Sequence, residues 1–314
     1  MLRRLLPLAL ALVAAPAALA DGPPVPGGVD GVLAPGGKVR YLAVSGGGQT
    51  IVEQVQVAGV RLLRARSLPG VWTVPGVALD STPSGLSADG TTLVLSGPQA
   101  WGQTEWSEFE VVRTRDLAPV QRVRLRGSFS YDALSPDGSR LYLIQHVQDP
   151  RLSRYVVRAY DLVRRRLLPG RIADRTQRGW VMTGWPVTRT TSADGRWVYT
   201  LYARPGGTPF VHALDTTRGV AHCIGIPWRS ENQNPLWRLR MSVRDGGRTL
   251  SLHWRSGREY LAITRGTWRI SHPTPTRAGS AFPWWILGVA GAGALLLLAL
   301  RRTSYGLRAR AATN

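Results

Sequence analysis

The sequence contains a single cysteine, Cys223, in 314 residues. One cysteine excludes an internal disulfide, so the chain is not one of the small scaffolds that disulfides stabilise. It therefore has to bury an apolar core, and its length is ample for that. In the segment His222-Cys223-Ile224 we expect the thiol to be a small buried group rather than a reactive one.

Motifs for metal, nucleophile or phosphate chemistry are also scarce. None of the five histidines has another His, Cys or carboxylate at ligand spacing, and no Asp-x-Asp-x-Asp run is present. His212 and His222 flank one predicted hairpin, but two imidazoles without a third ligand rarely hold a metal. There is no Gly-x-Ser-x-Gly elbow, and Gly46-Gly47-Gly48 lacks the Lys and Ser or Thr of a phosphate loop. The sequence predicts no catalytic residue, no metal site and no cofactor.

Lysine and acidic residues are few. Lys38 is the only lysine beside 39 arginines, and 40 basic residues against 19 acidic ones give a net charge of +21. Such a field favours anionic partners. The same arginine bias, together with abundant Ala, Gly, Pro and Val, is also typical of a GC-rich genome. Composition alone therefore leaves two explanations of the high arginine content open, a functional role and codon usage.

Long apolar runs occur only at the two ends of the chain. Residues 1–20 have two arginines before an apolar run and end in a small-residue cleavage pattern, which is typical of a secretory signal. Residues 283–300 are uncharged and apolar, and their length is near the lower limit for crossing a bilayer core about 30 Å thick. Two arginines follow, and positive charge places residues 301–314 in the cytoplasm. The prediction is a single-pass type I protein of the cell membrane, which excludes nucleic acid as a partner of its extracytoplasmic body.

The segments between these ends differ in composition. Residues 21–37 are rich in Gly and Pro and predict a flexible lead-in, and residues 276–282 predict a stalk before the anchor. Between them, residues 38–275 have a continuous β-type pattern without a convincing amphipathic helix.

A short Asp-Gly turn followed by an apolar strand occurs four times. The Asp-Gly pairs lie 48, 57 and 51 residues apart, and a recurrence near 50 residues indicates one repeated supersecondary unit. We expect the Ser and Asp of these turns to bond turn amides while the Gly adopts a positive φ. The four pairs are Asp89-Gly90, Asp137-Gly138, Asp194-Gly195 and Asp245-Gly246.

Each copy continues with a loop, a third strand, a polar turn and a fourth strand, which describes one four-stranded antiparallel sheet. Strands such as Leu141–Ile144 are apolar on both faces, as expected where sheets stack on one another. An earlier copy, from Arg40 to Val74, lacks the Asp-Gly turn and has Val71–Val74 as its last predicted strand. The predicted fold is all-β: a β-propeller of about five four-stranded blades over residues 38–275, plus one C-terminal transmembrane helix.

These residues resemble a known family. The segment Ser135-Pro-Asp-Gly-Ser-Arg-Leu-Tyr-Leu143, followed by Val157-Arg-Ala-Tyr-Asp-Leu162, looks like the WD40-like repeat of TolB-type and YVTN-type bacterial β-propellers. No Trp-Asp dipeptide ends the copies, so eukaryotic WD40 proteins are a poorer match. The family includes scaffolds, sensors and several unrelated enzymes, so the resemblance implies architecture rather than activity.

In propellers of this type, the loops between blades and between second and third strands line one face, which we predict to be the binding face. Trp, Arg and Asn in such loops are typical of binding hot spots. The alternative is that each tryptophan packs between neighbouring blades, as large aromatic side chains usually do. The predicted binding residues are Arg175, Arg178, Trp180, Trp185, Trp228, Asn232, Asn234 and Trp237.

Three functions remain open at this point. The first is a membrane-anchored extracytoplasmic β-propeller without catalytic activity, held in the membrane by residues 283–300, that binds a protein or an anionic envelope polymer. The second is an exported propeller hydrolase or lactonase. The third is a sensor ectodomain that acts through a partner membrane protein.

Overall fold

The computed structural model of the chain describes residues 30–98, 105–147, 154–174, 176 and 181–272. The predicted signal, stalk, anchor and cytoplasmic tail lie outside these residues, as does most of the predicted lead-in. In the described part, no helix is both long and apolar enough to cross a membrane.

The described chain forms five antiparallel sheets that follow one another in sequence. Sheet 1 comprises β1 (Val32–Leu33), β2 (Val39–Gly46), β3 (Gln49–Gln56) and β4 (Arg61–Pro69). Sheet 2 comprises β5 (Thr92–Ser96), β6 (Trp106–Arg113) and β7 (Ala118–Arg126). Sheet 3 comprises β8 (Phe129–Leu134), β9 (Arg140–His146), β10 (Arg154–Asp161), β11 (Arg166–Leu167) and β12 (Met182–Thr183). Sheet 4 comprises β13 (Trp185–Thr191), β14 (Trp197–Ala203), β15 (Phe210–Asp215) and β16 (Val220–Gly225). Sheet 5 comprises β17 (Leu239–Arg244), β18 (Thr249–Trp254), β19 (Glu259–Thr264) and β20 (Arg269–Ser271).

Three sheets differ from the prediction: sheet 2 has three strands, and sheets 1 and 3 are not built from the predicted strands alone. The residues predicted as the last strand of the first copy, Val71–Val74, lie outside sheet 1, and Thr73 forms a single bridge to Ser96 of sheet 2. The short β1 supplies the fourth strand of sheet 1 instead, within the predicted lead-in. In sheet 3, β11 and β12 both pair with β10, so the last strand is interrupted.

Three of the four Asp-Gly turns have the predicted chemistry; in the fourth, Val243 stands where the others have Ser, and Asp245 itself has φ +55°. In the turn before β9, the Ser135 hydroxyl donates to Asp137 Oδ1 at 2.6 Å, and Asp137 Oδ1 accepts the Ser139 amide at 3.1 Å. Gly138 has φ +69°, in the left-handed region that favours glycine. The turn before β14 repeats these bonds through Ser192 and Asp194. The predicted positive φ is confirmed at all four glycines, and the turns of sheets 2 and 3 touch, because Asp89 N donates to Pro136 O at 3.2 Å.

We expect Gly195→Ala to destabilise the protein more than Gly246→Ala. Both glycines have positive φ, +69° and +62°, so both variants carry the cost of about 1 kcal/mol for a left-handed alanine. A Cβ at Gly195 would also overlap the Ala88 methyl, whereas nothing lies within 4 Å of a Cβ at Gly246. Overpacking adds roughly 1–3 kcal/mol. Chemical denaturation measures the free energy of unfolding of both variants. Equal losses of stability would contradict the close contact between Gly195 and Ala88.

Neighbouring sheets share buried apolar clusters in chain order, 1–2, 2–3, 3–4 and 4–5. Each cluster draws side chains from both sheets, which therefore stack face to face. Examples, one cluster after another, are Val52 and Leu93, Val94 and Leu143, Val157 and Leu214, and Leu201 and Leu252. This succession of stacked antiparallel sheets supports a propeller fold.

The face of sheet 1 that points away from sheet 2 is exposed. Side chains alternate between the two faces of a strand. Tyr41 and Val52 lie on the buried face, whereas Val44 and Ile51, which pair across β2 and β3, are 55% and 45% exposed. Sheet 1 therefore buries one face and presents apolar side chains to solvent on the other.

The connection between sheets 1 and 2 contains a hairpin, residues 75–84, that reaches sheets 4 and 5. The hairpin is closed by bonds from Val77 N to Thr82 O and from Ser84 N to Pro75 O. At its tip, Leu79 N donates to Pro186 O of β13 at 2.9 Å, and Asp80 Oδ2 lies 3.7 Å from Arg240 Nε of β17. The hairpin therefore ties the first sheet connection to the last two sheets.

Candidate functional site

Three connections of sheets 4 and 5 meet at one end of these sheets, opposite the Asp-Gly turns. They are residues 204–209 between β14 and β15, residues 226–238 between β16 and β17, and residues 255–258 between β18 and β19. Successive strands are antiparallel, so connections of this order leave a sheet at the same end. The three connections form the candidate site, which we call the Arg–aromatic corner.

Gln233 fixes the long connection against the short one of sheet 4. Its Oε1 accepts the Arg204 amide at 2.6 Å, and its Nε2 donates to the carbonyls of Arg204 and Gly207 at 2.7 and 2.8 Å. Asn232 shapes the same loop, because its Oδ1 accepts the Asn234 amide at 2.9 Å and its carbonyl accepts Trp228 Nε1 at 3.1 Å. These bonds hold the backbone in one arrangement, which reduces the ordering cost of binding.

Three aromatic rings lie together under this loop. The centroids of Trp228 and Tyr260 are 5.6 Å apart, those of Trp254 and Tyr260 are 5.7 Å apart, and those of Trp228 and Trp254 are 6.5 Å apart. The Tyr260 hydroxyl donates to Pro227 O at 2.6 Å. All three rings are partly buried against the apolar cluster of sheets 4 and 5, so one part of each is available to a ligand.

The three connections carry five exposed arginines: Arg204, Arg229, Arg238, Arg255 and Arg258. The Arg255 amide donates to Arg238 O at 2.9 Å, which brings two of the connections together. Burial raises the pKa of the Tyr260 phenol, and the positive charge of nearby Arg229 offsets part of that rise. Within the three connections, which the structure describes completely, Glu231 is the only acid. The corner is therefore strongly cationic and suited to anionic groups.

The structure brings four of the eight predicted binding residues into this corner. Trp228, Asn232, Asn234 and Trp237 all belong to residues 226–238, and both tryptophans pack partly against the apolar cluster of sheets 4 and 5. Trp185 lies at the same end, because it pairs with Ala203 at the edge of sheet 4, and it is 36% exposed. The remaining predicted residues, Arg175, Arg178 and Trp180, lie outside the described residues.

Sequence reasoning did not identify Trp254, Tyr260 or the five arginines as part of the site. The available signal was the turn Arg255-Ser-Gly-Arg258, which joins the second and third strands of the last copy. The expectation that loops between second and third strands line the binding face therefore also applied to this turn. Applied to the last copy, it identifies Arg255 and Arg258 directly.

A second group of polar residues is buried between sheets 3 and 4. Arg189, Thr200, His212 and Cys223 pair in one row across the four strands of sheet 4. Arg189 forms an ion pair with Asp132 of β8 and donates from Nε to Thr200 Oγ1 at 2.8 Å. Both charged side chains are only 3% exposed. Asp132 is the extra residue of a β-bulge in β8, which directs its carboxylate into this interface.

His212 and Cys223 are held in their uncharged forms in this row. Burial lowers the pKa of His212 to about 4, with a partly opposing effect from the Asp132 carboxylate. Cys223 is only partly buried, not fully as expected, but burial still raises the pKa of its thiol to about 12, which fits the predicted unreactive group. Among the described residues, no group of three His, Cys, Asp or Glu side chains is arranged to hold a metal ion.

No protein-family model matches the sequence, and no curated protein matches it. Solved structures similar to the chain include TolB from Acinetobacter baumannii, at 16% identity and a TM-score of 0.40 over 76% of this chain and 54% of that one. The β-propeller domain of Cps50 (Swd1) from Myceliophteria thermophila is 11% identical, with a TM-score of 0.42 over 79% of this chain and 67% of that one. A puromycin hydrolase is 15% identical, with a TM-score of 0.43 over 78% of this chain and 38% of that one. The names of these proteins differ widely, and similarity at this level carries no inference about activity.

Proposed function

We propose that the chain is an exported, membrane-anchored propeller of five blades that acts by binding an anionic partner at the Arg–aromatic corner. The observation that carries the proposal is the set of five exposed arginines on the three connections next to three clustered rings, with one acid among them. Arg, Trp and Tyr are the residues that dominate binding energy at interfaces. The predicted signal and anchor would keep this face outside the membrane.

The fixed backbone of the corner supports binding rather than turnover. The loop is held by Gln233 and Asn232, and apart from Glu231 its charged side chains are arginines, which stay protonated and do not serve as acids or bases. The residues of the corner therefore offer charge, planar hydrogen-bond donors and ring surfaces, which are the groups that recognise carboxylates or phosphates. The hydrolase, lactonase and sensor alternatives stay predictions.

We expect Arg255→Ala and Arg258→Ala each to weaken binding of a polyanion by about fivefold or more, the effect of roughly 1 kcal/mol at a hot spot. Binding is measured with the detergent-solubilised full chain against poly-L-glutamate, polyphosphate and a uronate polysaccharide. The affinity should fall as salt rises, since exposed charges are screened within about 10 Å at 0.1 M. The preferred polyanion distinguishes a protein-like ligand from a polymer-like one.

Arg165→Ala is the matched control for this experiment. Arg165 is exposed on the turn between β10 and β11, at the end of sheet 3 where the Asp-Gly turn lies. Its replacement by alanine removes the same single positive charge as Arg255→Ala. Affinity should remain unchanged in this variant. A loss equal to that of Arg255→Ala would show that net charge, and not the corner, binds the polyanion. Absence of binding to all three polyanions would overturn the proposal.

A further inference from the structure

The turn between β3 and β4 presents an apolar side chain where sheet 2 buries one. Val60 occupies the last position of this turn with φ +47° and is 81% exposed. Leu117 occupies the same position in the turn between β6 and β7, with φ +55°, and is fully buried. A β-branched residue at positive φ is strained. Sheet 1 therefore has a strained turn that holds a valine in solvent.

The apolar surface continues along β4, which is the edge strand of sheet 1. Leu62 and Leu63 are 54% and 42% exposed, and Val57, at the start of the turn, is 41% exposed. The β1–β2 turn lies alongside, because Val57 N donates to Lys38 O at 2.9 Å. Exposed apolar side chains grouped in this way mark an interaction surface rather than ordinary surface scatter.

Basic side chains flank these apolar ones along β4, where Arg61 and Leu62 lie on opposite faces of this exposed edge strand. Arg61 and Arg64 are exposed, and residues 54–79 contain no Asp or Glu. Arg61 donates from Nε and Nη2 to the neutral Gln56 amide oxygen at 3.2 and 2.9 Å, so that contact leaves its charge uncompensated. In the described part of the chain, no ion pair involves Arg61, Arg64 or Lys38. We call this surface, defined by Lys38, Val57 and residues 60–64, the sheet 1 edge patch.

We propose that the sheet 1 edge patch docks on an anionic lipid bilayer, with the valine and leucine side chains in the interface and the cations on lipid phosphates. Apolar side chains at a projecting turn, flanked by basic residues, have the composition of interfacial membrane-binding segments. Protein hot spots are instead enriched in Trp and Tyr, and the patch has neither. The surface is separate from the Arg–aromatic corner and does not depend on the function proposed for it.

The test places a fluorescent label in the patch of the full chain. Ala58→Cys in a Cys223→Ser background gives one exposed labelling site in the turn, next to the proposed contact residues. The labelled protein is added in mild detergent to preformed vesicles and the detergent is removed. One set of vesicles is phosphatidylcholine alone, and the other also contains phosphatidylglycerol. We expect a blue-shifted emission with the anionic vesicles only, reversed by high salt because the cations are then screened.

Variants of the patch separate its apolar and basic contributions. Val60→Gly removes the apolar side chain and also relieves the positive φ, and Gly219 already occupies this turn position in sheet 4, so folding should be preserved. Arg61→Gln with Arg64→Gln should reduce the blue-shifted fraction by roughly fivefold per arginine. Arg164→Gln with Arg165→Gln, in the corresponding turn of sheet 3, removes the same charge and should leave the emission shift intact.

Three results would overturn the proposal. The first is equal emission with the two kinds of vesicle. The second is an emission shift that Val60→Gly and the double arginine variant leave unchanged. The third is a shift that appears only with native membranes and not with pure lipid, which would assign the patch to a protein partner. Circular dichroism of each variant establishes that a negative result comes from a folded protein.

Discussion

Lowering the pH from 7 to 4 should remove about 3 kcal/mol of stability through His212 alone, at about 1.4 kcal/mol for each unit by which its pKa is displaced. Burial lowers the pKa of His212 to about 4 in the folded chain, against an ordinary value of 6.5. Between pH 6.5 and 4, His212 therefore binds a proton in the unfolded chain but remains mostly neutral in the folded chain. The stabilisation is complete above pH 6.5 and is lost as the pH falls towards 4.

The surroundings of His212 explain why its pKa is lowered in the folded chain. Loss of hydration is the largest effect and lowers the pKa of His212; Arg189 and His222 lower it further, whereas Asp132 and Asp174 raise it. His212 Nε2 also lacks a hydrogen-bond partner among the described residues, so the Nε2–H of the charged imidazolium would have no acceptor.

Urea denaturation across this pH range measures the effect, with His212→Gln as the reference. Several carboxylates with lowered pKa values, such as Asp137 and Asp194, also lose their favourable contribution in acid. They are common to both proteins, so the difference between the two profiles isolates His212. The profiles should converge as the pH falls from 6.5. Parallel profiles would show that His212 is charged or hydrated in the folded chain.

Removing one member of the buried Asp132–Arg189 pair should cost about 3–5 kcal/mol, because the remaining charge is left without a partner in the interface of sheets 3 and 4. Asp132→Ala leaves the Arg189 guanidinium with Thr200 as its remaining side-chain partner. Replacing both, with Asp132→Ala and Arg189→Met, should recover part of the loss, since no charge then remains buried. The free energy of unfolding from urea denaturation provides the measurement.

The exposed pair of Glu108 and Arg124 is the matched control, with 37% and 58% of its side chains exposed and an N–O distance of 3.4 Å. Pairs of this kind are worth about 1 kcal/mol or less, so Glu108→Ala should have a small effect. Similar losses from Asp132→Ala and Glu108→Ala would mean that water reaches the Asp132 carboxylate. An additive double variant would likewise contradict direct coupling of the buried pair.

The repeated turns could be predicted from sequence because their chemistry is local. Ser135, Asp137 and Gly138 make their bonds within five residues of one another, and their spacing carries the information. The predicted binding loops were placed by the same repeat, which is why Trp228 and Asn232 occur in the corner. The strand predicted at Val71–Val74 was misplaced, since a short apolar run does not specify which sheet it joins.

Other features depend on contacts that the sequence does not specify. Asp132 and Arg189 lie 57 positions apart, and their pairing depends on a bulge and on the stacking of two sheets. The Arg–aromatic corner combines three connections, of which sequence reasoning named one. The ion pair between Asp80 and Arg240 joins the connection after sheet 1 to sheet 5. Such pairings depend on the assembled fold. Neither the secondary-structure propensity of nearby residues nor the spacing of apolar residues in the sequence indicates them.

The exposed face of sheet 1 affects how the fold opens. In the described part of the chain, each of sheets 2, 3 and 4 shares apolar clusters with two neighbours, whereas sheets 1 and 5 each share one with a single neighbour. In stacked repeats, stability is approximately a sum of terms within units and terms between nearest neighbours. Sheet 1 has one such neighbour term, so its amides should exchange with solvent through a sub-global opening that leaves sheets 2 to 4 intact. The sheet with the exposed apolar face is thus also a terminal unit, which can open while the central sheets stay folded.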